Sequence, residues 1–238
     1  MKRIPLGKFF FCLSVLCGTR NACPQPRSGY VLDFGFPGGS IVRKETDCII
    51  RKSRSGFISP EINSHPAGDD TDSSDKGMEA IFIVTGQIET AYRIITNLGV
   101  YPEYMPYVKE STLIAHKSGG IDYYRMKVRV LLAAFTYYVN YYYYKNLLPE
   151  GYPDLPFFKE SRALRWDYGG GDLRDTHGIW YFTHHPEQDG NLLVFYRVTT
   201  IVSGLIPSAV ENYLTHSSIR EILAAFRKKL AAEKKIFK

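Results

Sequence analysis

The order of apolar and polar positions from Leu131 to Tyr144 predicts a long β-strand with aromatic side chains on both faces. The stretch reads LLAAFTYYVNYYYY; it lacks Gly and Pro, and aromatic and β-branched residues favour a pleated strand. Side chains alternate between faces, which gives the sets Tyr137, Val139, Tyr141, Tyr143 and Tyr138, Asn140, Tyr142, Tyr144. Because tyrosine joins an apolar ring to a polar tip, the pattern favours a sheet that walls an apolar cavity. An ordinary strand whose aromatics pack the core is the alternative interpretation.

The region before this strand has the periodicity of a strand, a helix and a hairpin. MEAIFIVTG, from Met78, predicts a strand, and residues 87–99 predict a helix that ends at Gly99. VYPEYMPYV predicts a turn or short helix punctuated by prolines. VKESTLIAHK and IDYYRMKVRVLL, joined by the turn Ser118 to Gly120, then predict a hairpin.

After the tyrosine strand, residues 147–157 contain three prolines that interrupt regular structure. Three more strands are predicted in SRALRWDY, DTHGIWYFTHH and GNLLVFYRVTTIV, with turns at Gly169 to Gly171 and at PEQDG. Apolar residues from Val210 to Leu230 recur at helical spacing and predict a long amphipathic helix. Strands grouped between helices predict an α+β fold with an antiparallel sheet. Such a sheet curls, and the C-terminal helix is expected across its concave side, with a pocket between them.

The N-terminal part predicts an export signal followed by an extension. Residues 1–22 begin with a basic segment and continue into the apolar run FFFCLSVLCG, the pattern of a secretory signal that is too short to span a bilayer. We therefore predict an exported protein, periplasmic or membrane-associated. Arg20 lies where a small residue is preferred, so the alternative is a mis-assigned start and a cytoplasmic protein. Residues 23–77 predict an extension with short β pieces and an acidic linker, and residues 78–238 the main domain.

Composition narrows the classes of function. The chain has 238 residues, 45% of them hydrophobic, which suffices for one domain with a proper core plus extra segments. Its net charge of +6 is concentrated partly at the two ends and forms no basic stripe, which argues against nucleic-acid binding. The basic tail from Arg227 to Lys238 suggests peripheral membrane contact or a solvated helix end. No cysteine follows Cys48, and no His, Cys and carboxylate set has zinc spacing, so neither metal nor cofactor is expected.

Three segments of the main domain resemble the helix-grip superfamily of START, Bet v 1-like and polyketide cyclase/dehydrase (SRPBCC) domains, most of all the coenzyme Q-binding START branch. They are VTGQIETAYRIITNLGVYPEYMPYVKES from Val84, RWDYGGGDLRDTHGIWYF from Arg165, and the terminal helix that follows a proline. The resemblance covers roughly Met78 to Glu233. It implies a curled antiparallel sheet around a long C-terminal helix, with two short helices between the first two strands. It also implies an apolar or amphipathic ligand, but it fixes no activity.

A cavity of this kind needs apolar walls with a few polar groups. The candidate ligand-binding residues come from the first helix and its following turn, from the sheet and from the terminal helix. They are Tyr92, Ile95, Tyr101, Tyr104, Met105, Tyr124, Met126, Tyr137, Val139, Tyr141, Trp166, Trp180, Phe182, Tyr196, Ile222 and Phe226. Core packing is the alternative role for each of them.

Two functions are consistent with the sequence, and the non-enzymatic one is favoured. The first is binding, transport or sequestration of a hydrophobic small molecule such as a lipid or quinone. The second is a polyketide cyclase, aromatase or dehydratase, which needs an acid–base group at the cavity wall. His177, Arg165 and Asp167 are the candidates for that catalytic role.

Overall fold

The computed structural model describes residues 41–45, 48–53, 77–130, 132–147, 160–185, 188–202 and 218–236. This part of the chain contains one sheet of nine strands. Strands β1 to β9 are Ile41–Glu45, Cys48–Ser53, Gly77–Thr85, Val108–Lys117, Ile121–Val130, Ala133–Lys145, Arg162–Gly171, Leu173–His184 and Asn191–Val202. The helices are α1 (Ile88–Thr96), α2 (Tyr101–Tyr104) and α3 (Ser218–Ile236), and a 3₁₀ turn (Leu98–Val100) precedes α2.

The strands pair in the order β1-β2-β3-β9-β8-β7-β6-β5-β4, and every pair is antiparallel. The two edge strands, β1 and β4, do not pair with each other within the described residues, so the sheet is curled but open. Helices α1 and α2 lie between β3 and β4, the first two strands after residue 77. The predicted α+β helix-grip architecture is confirmed.

Strands β1 and β2 come from the predicted N-terminal extension and enlarge the sheet. Strand β2 pairs with β3 along its length, from Cys48 opposite Phe82 to Ser53 opposite Gly77. Residues 1–22 and the acidic stretch upstream of Gly77 lie outside the described residues, so the proposed signal and the domain limits stay predictions.

Helix α3 closes the concave side of the sheet with one apolar stripe. Ile219, Leu223, Phe226 and Leu230 follow helical spacing and are all buried. Burial of each such side chain stabilises the fold by about 1.5–3 kcal/mol. The predicted start of this helix before Ser218 lies outside the described residues. In the part of the chain described, no helix combines the length and apolarity needed to cross a bilayer.

Helix α1 packs on the same side through Ile88, Ala91, Ile94 and Ile95. It ends earlier than expected. The helix stops at Thr96, and Asn97 caps it by donating its backbone N–H to the Arg93 carbonyl, so Gly99 falls in the following 3₁₀ turn. A short tight turn of this kind is common at helix ends, and periodicity does not separate it from the helix.

The glycine turn expected at Gly169 to Gly171 also differs. Strand β7 continues through these glycines to Gly171, and β8 begins at Leu173. Gly170 and Gly171 have φ values of 127° and 111°, a region that side chains other than glycine rarely adopt. Their backbone stays paired with β6 across a bulge between Tyr138 and Val139, so the three glycines extend the strand pair instead of ending it.

The tyrosine strand β6 presents its first set of side chains to the concave core. The main apolar cluster lies between the concave face of the sheet and the helices α1 and α3. Val139 and Tyr141 belong to this cluster, and Tyr137 and Tyr143 pack against it. Of the second set, Tyr138 stacks on Tyr123 with ring centroids 5.5 Å apart. Tyr144 instead packs against a second apolar cluster on the convex face of the sheet, formed by Ile81, Ala163, Ile179, Tyr181, Leu193 and Phe195.

Candidate functional site

A cavity of about 150 Å³ lies on the concave face of the sheet, beside the start of α3 and the segment after α2. The two α3 residues that line it, Ser218 and Ile222, are one turn apart. Strands β5 to β9 supply most of the remaining wall, since each contributes every second side chain to its concave face. The volume is similar to that of the engineered cavity of about 150 Å³ that binds benzene.

Strand β6 forms the centre of the wall through Tyr137, Val139 and Tyr141. Its neighbour β5 adds Met126, which lies opposite Tyr137 in the register. The three β6 residues belong to the set that alternation along the tyrosine strand predicts on one face. The strand that first stood out in the sequence is therefore one wall of a cavity.

A row of aromatic rings crosses the sheet next to this wall. Tyr141 lies 6.5 Å from Trp166 between ring centroids, and Trp166 stacks on Tyr196 at 6.2 Å with an interplanar angle of 29°. Tyr196 in turn lies 4.2 Å from Trp180. The row needs Gly178, which is paired with Trp166, because a Cβ atom there would come within 2.2 Å of the Trp166 ring.

The polar groups of the cavity wall are all uncharged among the residues described: tyrosines, tryptophans, two threonines and a serine. Three of these groups form hydrogen bonds within the protein itself. The Tyr101 hydroxyl donates to the Ile95 carbonyl at 2.6 Å, and the hydroxyls of Thr176 and Thr200 lie 3.2 Å apart.

The hydroxyls of Tyr137, Tyr141 and Tyr196 have no hydrogen-bond partner within the described parts of the chain. Tyr141 and Tyr196 are only 6% and 4% exposed. Burial raises the pKa values of Tyr141 and Tyr196 well above the ordinary range of a tyrosine, and the neighbouring tyrosines raise them further. Burial also raises the pKa of Tyr137 to about 12. All three phenols are therefore neutral at physiological pH.

Ten of the sixteen residues proposed for ligand binding line the cavity. They are Tyr101, Met105, Met126, Tyr137, Val139, Tyr141, Trp166, Trp180, Tyr196 and Ile222. The other six do not line it: Ile95, Tyr124, Phe182 and Phe226 are buried in the core, and Tyr92 and Tyr104 pack against it. Phe226 shows why, since its ring lies 5.3 Å from Trp180 and 6.2 Å from Phe82, where helix and sheet are in contact.

Nine further residues line the cavity without having been proposed: Pro106, Tyr107, Val108, Val128, Leu164, Thr176, Val198, Thr200 and Ser218. Strand alternation could have found five of them. Val128, Leu164, Thr176, Val198 and Thr200 each lie two or four positions from a proposed residue on the same strand. The segment after α2 and Ser218 have no such periodicity to identify them.

The candidate catalytic residues lie on the opposite, convex face of the sheet. Trp166 on β7 and Trp180 on β8 face the cavity. Side chains alternate between the two faces of a strand. Each candidate lies an odd number of positions from the tryptophan of its strand, so Arg165, Asp167 and His177 face away from the cavity. Arg165 Nη2 donates to both carboxylate oxygens of Asp167, at 2.8 and 3.0 Å. His177 Nδ1 lies 3.1 Å from Asp175. The three residues do come together, but the sheet separates them from the cavity, where a cyclase would need its acid–base group.

Comparison with known proteins identifies the fold. No protein-family model matches the chain, and no curated protein does. Among solved structures, human StAR-related lipid transfer protein 5 has a TM-score of 0.60 at 11% identity, covering 84% of this chain and 89% of that one. A StAR-related lipid transfer protein from Xanthomonas axonopodis has a TM-score of 0.57 at 11% identity, with 82% and 99% covered. A START superfamily protein from Mycobacterium smegmatis has a TM-score of 0.50 at 14% identity, with 66% and 97% covered.

Proposed function

We propose that this protein, which has the START-type helix-grip fold, binds a hydrophobic small molecule such as a lipid or a quinone in the cavity between sheet and α3. The observation that carries the proposal is the cavity itself, whose wall is built from aromatic and aliphatic side chains and, in the described residues, no charged one. Apolar walls with a few placed polar groups are typical of small-molecule sites. Two structural neighbours are named lipid transfer proteins, which supports a carrier or sequestering role.

Native mass spectrometry of the purified chain, before and after extraction of bound molecules with an organic solvent, tests the proposal. We expect an apolar molecule that co-purifies with the chain and is removed by the extraction, or binding of an added short-chain quinone or fatty alcohol to the extracted protein. Both tryptophans of the chain, Trp166 and Trp180, line the cavity, so their fluorescence reports the rebinding. A protein that retains no apolar molecule and binds none of the added ones contradicts the proposal.

A variant that fills the cavity locates the binding. Val198 lies on the cavity wall between Tyr196 and Thr200, and Val198→Phe puts an aromatic ring where the ligand would lie. We expect it to reduce binding at least about tenfold, since a filled site excludes the ligand. Ile114→Phe is the control, because Ile114 is 49% exposed on edge strand β4. Equal binding by both variants would place the ligand elsewhere.

Peripheral membrane contact through the basic end of the chain is part of the same proposal. It is supported by the sequence RKKLAAEKKIFK from Arg227 onward and by the exposure of Lys228. Each lysine or arginine close to the surface of an anionic membrane contributes about 1 kcal/mol to the binding free energy. Cosedimentation with anionic vesicles, but not with zwitterionic ones, is expected. A variant with glutamates at Lys234, Lys235 and Lys238 should abolish it.

Export is likewise proposed, on the basic and apolar pattern of residues 1–22. Fractionation of cells that produce the full chain, together with the N-terminal sequence of the mature protein, tests it. Recovery of the intact chain in the cytoplasm contradicts export and leaves the cavity proposal untouched.

A further inference from the structure

Two tyrosine hydroxyls in the cavity wall point to the chemistry of the ligand. Tyr141 and Tyr196 line the cavity, are more than nine-tenths buried, and have hydroxyls without a hydrogen-bond partner among the residues that the structure describes. The two hydroxyls are not among the fully enclosed polar atoms without a partner in the described residues, so they open onto the cavity. A ligand group in the cavity can therefore form a hydrogen bond with them.

The rings of Tyr137, Tyr141 and Tyr196 all line the cavity. Their rings belong to strands β6 and β9, on either side of the Trp166 ring that lies over Gly178. Each of the three phenols therefore borders space that a ligand in the cavity can occupy.

The same region is unfavourable for a charged group. The cavity wall has no cation to pair with an anion and no carboxylate to pair with a cation, as far as the structure describes it. An unpaired charge moved from water into such a site loses much of its hydration without a compensating partner. The burial that raises the pKa of the phenols opposes any negative charge placed beside them for the same reason.

Size restricts the ligand further. A cavity of about 150 Å³ is comparable to one that holds a single benzene ring and is smaller than the roughly 300–1,000 Å³ of sites for drug-sized ligands. The two chains of a phospholipid exceed it.

We infer that the cavity selects a compact, uncharged, largely apolar molecule whose carbonyl or hydroxyl oxygen forms a hydrogen bond with the hydroxyl of Tyr141 or of Tyr196. The inference rests on the proposed function and specifies the class of ligand for the same site. Phenol hydroxyls both donate and accept hydrogen bonds, so either kind of oxygen is suited to them.

Calorimetric titration of the full chain, after bound apolar molecules have been removed with an organic solvent, tests the inference. Three matched probes are used: acetophenone, ethylbenzene and benzoate. The probes share a benzene ring and differ in carrying a neutral carbonyl, no oxygen, or a negative charge. Benzoate is expected to bind at least about tenfold more weakly than acetophenone, given the cost of an unpaired charge. The double variant Tyr141→Phe/Tyr196→Phe should weaken acetophenone binding about fivefold to tenfold and leave ethylbenzene binding unchanged.

Tyr138→Phe is the matched control, because Tyr138 stacks on Tyr123 outside the cavity and should alter no affinity. Retained ethylbenzene binding shows that the double variant is folded with its cavity intact. Benzoate that binds as well as acetophenone overturns the inference, and so does a double variant with unchanged acetophenone affinity; the proposed function survives both. If neither acetophenone nor ethylbenzene binds the native chain, the inference is overturned, and native mass spectrometry with the retained or added apolar molecules decides separately whether the proposed function holds.

Discussion

The ring of Trp166 lies over Gly178 on the neighbouring strand, so closely that a Cβ atom at position 178 would be 2.2 Å from one ring carbon and 2.5 Å from another. The same Cβ would be 2.4 Å from the backbone oxygen of Arg197. Gly178 has an ordinary strand conformation, so close packing alone requires a glycine there. The pair sets the position of the aromatic row along the cavity wall.

Gly178→Ala is therefore expected to displace Trp166 and to destabilise the protein by about 1–3 kcal/mol, the cost of overpacking a filled site. Chemical denaturation followed by tryptophan fluorescence measures the loss. Gly99→Ala is the control, since no atom lies within 4 Å of a Cβ built at Gly99. Equal stability of the two variants would show that the Trp166 ring moves aside without cost.

The contact between helix α3 and the sheet is expected to depend most on Phe226. Its ring is fully buried and packs on Phe82, Trp180 and Phe182. Truncation of such a residue removes its burial and leaves a cavity, so Phe226→Ala should cost about 3–5 kcal/mol. Leu132→Ala should change stability by less than about 0.5 kcal/mol, because Leu132 is 95% exposed. Thermal unfolding of the two variants side by side tests the difference, and a small effect of Phe226→Ala would contradict the packing.

The ion pair on the convex face should contribute to stability and not to ligand binding. The side chains of Arg165 and Asp167 are each only 12% exposed, and Arg165 Nε has no hydrogen-bond partner within the described residues. Asp167→Asn removes the countercharge and should destabilise the fold by about 1–3 kcal/mol. Because the sheet lies between this pair and the cavity, ligand affinity should stay unchanged.

Asp175→Asn provides the comparison for that variant. The Asp175 side chain is 36% exposed and pairs with His177 at 3.1 Å, so its loss should cost less than about 1 kcal/mol. Denaturation midpoints and ligand titrations of both variants are the measurements. A clear loss of affinity in Asp167→Asn would revive the idea that this cluster acts on the ligand.

Stability should fall at alkaline pH because of the buried tyrosines. The pKa of Tyr137 is raised by burial from 10.0 to about 12, and that of Tyr141 is raised as well. Between those pH values the unfolded chain releases phenol protons that the folded chain retains. Stability is therefore fully present below pH 10 and decreases as the pH rises, with a slope of about 1.4 kcal/mol per pH unit for each such tyrosine.

Urea denaturation across the alkaline range measures this slope. Tyr137→Phe removes one of the titrating groups and should make the decline shallower, while stability near neutral pH stays similar. A slope that is identical in the variant would show that Tyr137 ionises as easily in the folded protein as in the unfolded one.

Period-two alternation explains most of what the sequence could predict about the site. It placed Tyr137, Val139 and Tyr141 on one face, and the structure has all three on the cavity wall. The same rule, carried from Trp166 to its neighbours, separates Arg165 and Asp167 from the cavity. Alternation alone, applied consistently along this strand, excludes these two residues from the catalytic candidates.

Other features depend on the placement of α3, which no local pattern encodes. Phe182 and Trp180 both lie on strand β8 and face the concave side, yet only Trp180 borders the cavity. Phe226 of the helix packs on both rings, with centroids 5.3 Å from Trp180 and 5.8 Å from Phe182, so Trp180 lies where the contact with the helix meets the cavity. Ser218 borders the cavity through the same helix placement. The sequence therefore predicts the face of each strand residue but not whether helix or open space lies above it.

The pairing of β3 with β9 has a consequence for how the chain folds during synthesis. Met78 lies opposite Val198 and Thr85 opposite Asn191, so strands at opposite ends of the domain are hydrogen-bonded neighbours. Until the ribosome has released the last strand, one edge of β3 has no native partner and the apolar cluster beneath α3 stays incomplete. Long-range pairing of this kind slows folding and prolongs exposure of the unpaired edge. The nascent chain is therefore most vulnerable to aggregation just before residues 191–202 emerge, and the hairpin of β1 and β2 protects the other edge of β3 throughout that interval.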